Sequence, residues 1–184
     1  RPAQVLDRLA ILCRRRLASA SPSRPRRRLA AILASPPPVR PPRRDAPLIA
    51  FALHPAVHPP SRTDDLLAGR FEFLGHRRDL GKHPGWNDRG PSAPSHLWRM
   101  NLHYHRFLVD AAAGAIEAPG RAAAILERAS DLLDDWARAC PPFAPSGWSD
   151  AWNSYAVSTR LIHAWVARRL LEAAPVAAAT AFGR

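Results

Sequence analysis

The sequence predicts an all-α chain, and three observations carry that expectation. Residues 121–139 place Ile125, Ala129, Leu132, Leu133 and Trp136 on one face of a helix, with Glu127, Asp131, Asp134, Asp135 and Arg138 on the other. That is the pattern of a surface helix packed on one side. Residues 154–173 instead carry Val157, Leu161, Ile162, Trp165, Val166, Leu170 and Leu171 around nearly the whole circumference, as an inner helix does. Between them "CPPFAPSGW" holds prolines that cannot continue a helix. Outer helix, long loop and inner helix make one layer of an α/α arrangement.

The remaining elements follow in chain order. Residues 3–18 space Val5, Leu9, Leu12 and Arg16 as a short amphipathic helix. "SASPSRPRRR" and "SPPPVRPPRRDAP" then predict extended linker with at most a short helix around residues 28–33. We therefore divide the chain into a basic Pro/Arg-rich segment over 1–45 and a helical domain over 46–184. "PLIAFAL" (47–53) reads as a short strand or an apolar anchor. "RFEFLGHRRDLGKHPGWND" (70–88) alternates and then turns at glycines, which predicts a β-hairpin-like or extended segment. A first helix is expected over 97–113. Its wheel puts Arg99, His103, Arg106 and Asp110 on the solvent side. Trp98, Asn101, His105, Leu108 and Val109 lie opposite, with Tyr104 at the border.

Charge sharpens the division. The net +12 of the 184 residues is concentrated at the front: residues 1–44 hold twelve arginines against Asp7, while residues 45–184 are nearly neutral at +1. An arm of this kind can touch phosphates, but an arginine-rich solvated face accounts for it equally, and we favour that over nucleic acid. Two cysteines so far apart define no disulfide framework. No apolar run reaches the roughly 20 residues of a membrane span. The chain opens on Arg1, so a periplasmic or secreted location follows if a leader precedes it, and a cytoplasmic one otherwise.

The candidate sites are two. His103 and His105 point in opposite directions on one helix and cannot share a metal ion, and "HPAVH" (54–58) lacks the glutamate of a zinc-protease motif. No metal ligands are assigned here, and the cofactor is left open. Asn101, Tyr104 and His105 remain as inward polar groups that either fix loop backbone inside the core or line a cavity for a polar ligand. The second constellation is "SGWSDAWNSYAVSTR" (146–160), with Trp148, Trp152, Asn153, Tyr155 and Arg160. Flat aromatic faces, amides and an arginine at a loop-to-helix junction suit a carboxylated sugar. The alternative is that both tryptophans anchor the core and Arg160 bonds loop carbonyls. Ser149 or Asn153 can cap the third helix. Trp98, Trp136 and Trp165 read as core. No GxSxG, P-loop, GxGxxG or CxxC pattern is present, so the usual evidence for esterases, NTPases and dinucleotide enzymes is missing.

Four stretches in order, "FEFLG…LG…W" (71–86), "LWRMNLHYHRFL" (97–108), "LLDDWARACPP…SGW" (132–148) and "WNSYAVSTRLIHAW" (152–165), resemble the N-terminal helical region of the heparinase II/III-like polysaccharide lyases. "RPAQVLDRLAILCRRRL" resembles the opening helix of bacterial members. The resemblance implies a partial α/α toroid, an incomplete (α/α)n barrel, followed by a β-sandwich domain. It implies an acidic polysaccharide substrate, heparan-like, alginate-like or a bacterial exopolysaccharide, cleaved by β-elimination. Asn101, His103 and Tyr104 match the family's "NLHY" motif, and Arg160 its "SLR"-type arginine. His105 stands where an aromatic residue is usual. No "GNH"-like motif occurs between Trp165 and Arg184, so no catalytic residue is assigned here. The acid and base are expected downstream, in the remainder of the toroid and the following domain. The competing expectation is a non-catalytic helical carbohydrate-binding or scaffold protein.

Overall fold

The computed structural model describes residues 46–142 and 150–173, with Cys13, Arg16, Ala20, Ser23 and Arg27 as isolated helical positions earlier in the chain. Otherwise the expected helix over 3–18 and the linker up to residue 45 lie outside the described residues, as do Trp148, Ser149 and the stretch 174–184. Ala20, Ser23 and Arg27 correct the extended linker expected around them. Alanine and arginine are strong helix formers, and proline disfavours helix only at particular positions.

The described chain is mostly helical: α1 (Ala46–Ala52), α2 (Ser61–Ala68), a hairpin of β1 (Arg70–Phe73) and β2 (His76–Asp79), α3 (His96–Leu102), α4 (Phe107–Glu117), a 3₁₀ turn (Pro119–Arg121), α5 (Ala122–Ala139) and α6 (Ser154–Ala173). "PLIAFAL" is thus mainly helix rather than strand. A seven-residue apolar run has no periodicity that separates the two, and here α1 lies against α6 with Ala52 buried.

The hairpin forms as expected. Phe73 pairs with His76 across the two-residue turn Leu74–Gly75, and both turn residues have positive φ, 57° and 74°, the geometry of a type I′ turn. Upstream, α2 stops at Gly69, whose φ of 75° lets its amide bond the Leu66 carbonyl. A Cβ on Gly69 would lie 2.0 Å from the carbonyl oxygen of Gly81, so glycine is required there twice over, by conformation and by close approach.

The helix expected over 97–113 is two helices. Ser95 caps α3 by accepting the Trp98 amide at 3.3 Å. The chain then leaves helical geometry over 103–106, with His105 at φ 56°, and resumes in α4. The innermost element is α4, where Val109 to Ala115 are all buried. Its alanines and Gly114 let neighbours approach closely; a Cβ on Gly114 would meet Thr63 Oγ1 at 2.4 Å. α5, α6 and α2 all pack against this helix.

α5 behaves as the sequence requires, burying Ile125, Ala129, Leu132 and Trp136. α6 has the expected limits but not the expected environment. It buries Ala156, Arg160, Ala167, Arg169 and Leu170, while Leu161, Ile162 and Trp165 are 65%, 59% and 52% exposed. Trp165 is therefore not a core tryptophan among the described residues, and α6 is open on one side. Trp98 and Trp136 are buried as expected. The main core joins Leu66, Phe71, Trp86, Trp98, Leu102, Phe107, Ile125, Leu132 and Trp136.

Candidate functional site

The break between α3 and α4 organises the polar interior. On a continuous helix His103 would face solvent and His105 the core. With the chain redirected at His105, both are buried, at 0% and 1% exposure. The Trp136 indole Nε1–H donates to His103 Nδ1 over 3.0 Å. His103 Nδ1 is thus an acceptor, and the ring proton of the neutral imidazole sits on Nε2. The His105 ring meets Trp136 edge-on at 4.5 Å, and His105 Nε2 has no hydrogen-bond partner among the described residues. Burial lowers the pKa of His103 to about 4, offset in part by Asp150. Burial, then the Arg160 charge, lowers that of His105 to about 2. Both imidazoles are neutral at ordinary pH.

A helix break frees backbone carbonyls that must find donors. α6 supplies them. Arg160 donates through Nη1 to the His103 carbonyl at 3.4 Å and through Nη2 to the Ala151 carbonyl at 2.8 Å. His163 Nδ1–H donates to the Tyr104 carbonyl at 2.7 Å. The Arg160 guanidinium lies 4.4 Å from the ring centre of Trp136 and 5.0 Å from that of Trp152, and burial lowers its pKa to about 10. One arginine therefore ties the 103–106 turn and the 150–153 turn to α6, with its charge held against two indoles.

The second turn is fixed separately. Asn153 caps α6: its Oδ1 accepts the Ala156 amide at 2.9 Å and its Nδ2 donates to the Asp150 carbonyl at 3.0 Å. The buried Asp150 carboxylate takes Arg99 Nε at 3.0 Å, Arg89 Nη2 at 3.2 Å and His96 Nε2 at 2.9 Å, binding this turn to α3. Trp152 donates Nε1–H to the Cys140 carbonyl at 2.9 Å.

The candidate residues thus fall into two groups. His105, Trp152 and Arg160 surround Trp136, Asn153 caps α6, and the buried Tyr104 meets Tyr155, which is 64% exposed, edge-on at 5.6 Å. Asn101 stands apart, its Nδ2 donating to the Leu97 carbonyl one turn back at 2.9 Å; the inward position given by the wheel is replaced by a partly exposed one. His103, Arg99 and Asp110, all assigned to solvent by the same wheel, carry buried interactions instead, because the wheel assumes one uninterrupted helix. Among the described residues no group of three or more His, Cys, Asp or Glu side chains is placed to hold a metal ion. No described helix is long and apolar enough to cross a membrane.

Sequence reasoning missed Trp136, Asp150 and His163 as partners in this network. Trp136 and His163 differ from ordinary helix residues only in what they touch across the fold. Asp150, beside two tryptophans in a Pro-rich loop, was the one legible signal. Arrayed this way, the groups can fix two turns, exclude water and hold a positive charge beneath the surface that carries Tyr155.

No family model, curated protein or solved structure matches this chain.

Proposed function

We propose that this chain forms the N-terminal helical layers of a polysaccharide lyase of the heparinase II/III-like kind, which cleaves uronic-acid-containing polysaccharide by β-elimination. The observation that carries this reading is the open face of α6. Leu161, Ile162 and Trp165 stand exposed on a helix whose other side is packed on α4. A contiguous apolar stripe of this kind marks a surface that another element covers, as the next helical layer of a toroid would. The four ordered motifs supply the reaction class.

In that reaction the proton alpha to the uronate carboxylate is removed, the carboxylate is neutralised so that the enolate-like intermediate is tolerable, and the leaving oxygen is protonated. On this reading the acid and base come from downstream residues. The Arg160 network, with the buried Tyr104 and His105, holds the turns that shape the wall, and Asn101, Trp148, Trp152, Asn153 and Tyr155 are the substrate-binding candidates. The test is to express the uninterrupted reading frame and assay a panel of heparan-like, alginate-like and bacterial uronate polymers for the unsaturated product that only elimination makes. Absence of that product on every polymer sinks the reading.

A second reading has its own observation. Arg160 donates through Nη1 and Nη2 to backbone carbonyls, as a structural arginine does in a non-catalytic helical carbohydrate-binding or scaffold protein. That reading requires a monodisperse chain with one cooperative melt.

A further inference from the structure

Away from the Arg160 network, the hairpin leaves one edge unused. Phe73 pairs with His76, Glu72 with Arg77, Phe71 with Arg78 and Arg70 with Asp79, and the Leu80 amide carries the ladder on to the Gly69 carbonyl at 2.9 Å. In an antiparallel pair, residues that exchange backbone hydrogen bonds alternate with residues that do not. The bonded set here is Phe73 with His76, Phe71 with Arg78 and Gly69 with Leu80. The amides and carbonyls of Arg77 and Asp79 therefore point off the free side of β2, and they have no partner among the described residues. All of β2 is exposed, and an open groove of about 460 Å³ beside it is lined by residues 75–80 alone.

An edge of this kind is a template for another strand, and its side chains decide which one. On the face away from Phe71 and Phe73 the hairpin sets opposite charges side by side, Arg70 against Asp79 and Arg77 against Glu72. A second β2 running antiparallel can use the free groups in registers centred on residue 77, 78 or 79. Centring on Arg77 sets that arginine against itself, and centring on Asp79 does the same for the carboxylate; like charges directly opposite are unfavourable. Centring on Arg78 sets Arg77 against Asp79 of the second copy, and Asp79 against its Arg77, with backbone hydrogen bonds at both junctions. That register alone continues the alternation of charge and uses every free group on the edge. The side chains can serve it. Asp79 Oδ1 takes the Gly81 amide at 3.1 Å and leaves Oδ2, while Arg77 reaches Asp65 through Nη2 and leaves its other donors. The Arg78 side chain, on the opposite face, is drawn aside to the Ser92 carbonyl at 3.3 Å.

We infer that β2 is a self-association edge, through which two copies of this chain join antiparallel about a two-fold axis at Arg78 and merge their hairpins into one sheet. A patch that complements itself is what such a symmetric dimer requires. Edges of four residues bury little area, so the association is weak and reversible. It does not rest on the lyase reading.

The test is sedimentation of the 184-residue chain from about 10 μM to about 1 mM, with the Arg77 and Asp79 amide resonances followed over the same range. A monomer–dimer equilibrium is expected, and both amides shift as the dimer forms. Arg77→Asp and Asp79→Arg each set like charges against one another at both junctions, and each weakens the dimer by roughly tenfold. An equimolar mixture of the two variants brings opposite charges back to both junctions and restores the affinity to within about threefold of the parent. Arg78→Gln, which removes like charges from the axis, tightens the dimer by a few-fold. The amide spectrum of each variant checks that it is folded. A chain that stays monomeric throughout, or a mixture no tighter than its components, overturns the inference. Association through the open face of α6 is indifferent to these exchanges, so single variants that associate like the parent overturn it too. The lyase reading fails separately, in the product assay on the uninterrupted reading frame.

Discussion

Trp136 on α5 donates its indole N–H to Nδ1 of His103, 3.0 Å away across the core. Burial holds this imidazole neutral, and the bond fixes its tautomer, with Nδ1 accepting and the ring proton on Nε2. His105, buried beside the same indole, is held neutral by desolvation.

The pH dependence follows with a definite sign. In the unfolded chain these histidines take up protons near 6.5, whereas in the fold His103 does so only at about 4 and His105 at about 2. Folded pKa values depressed for a base mean that the unfolded state binds more protons in this window. Stability is therefore undiminished above pH 6.5 and falls as pH drops toward 4, by up to about 1.4 kcal/mol per pH unit for each histidine. Urea unfolding between pH 7 and pH 4.5 measures this. His105→Asn, which accepts the positive φ and does not titrate, reduces the slope by up to about 1.4 kcal/mol per pH unit; an unchanged slope contradicts the account.

Arg160 is the second point of leverage. Replacing it with alanine leaves the His103 and Ala151 carbonyls without their donors and removes a cation from between two indoles. The expected loss is about 3 kcal/mol in chemical denaturation. Arg160→Lys recovers only part of it, since a point charge cannot span both carbonyls. Full recovery by lysine would show that charge alone matters.

Gly69 tests the junction of α2 and the hairpin. Gly69→Ala places a methyl group on the Gly81 carbonyl at a positive φ, and costs about 2 kcal/mol or more. Gly75→Ala, also at positive φ but with nothing within 4 Å of the added Cβ, costs about 1 kcal/mol. Equal losses would mean that the approach of Gly81 is unimportant.

The open face of α6 separates surface from interior. Leu161→Glu together with Trp165→Lys is expected to leave the stability of this chain within about 0.5 kcal/mol, because both side chains are more than half exposed. It is expected to lower binding of a hydrophobic dye and any self-association, read by fluorescence and light scattering. The same pair in the uninterrupted reading frame is expected to destabilise strongly if a further helical layer seats on this face. An equal and large loss in both proteins would place the residues in the core of this chain instead.

What the sequence determined alone was local. The limits of α5 and α6 follow from apolar spacing and flanking prolines, and the hairpin follows from alternation ending at Leu74–Gly75. Each is settled by residues three or four apart, or directly across a turn. The candidate cluster was legible only in part: Trp152 lies beside Arg160 and Asn153 caps α6, while Trp136 was read from the sequence as core alone.

Tertiary structure decided the rest. The break at His105 depends on Arg160 and His163, 55 and 58 residues further on, which supply to the His103 and Tyr104 carbonyls the donors that a helix ordinarily supplies to itself. Once the helix breaks, every orientation inferred from a continuous wheel shifts, which is why His103 is buried and Asn101 is not. The inner helix is α4 rather than the longer α6, because alanine and glycine admit neighbours on all sides. Composition gives the hydrophobicity of a face; only the packed fold says whether something lies against it.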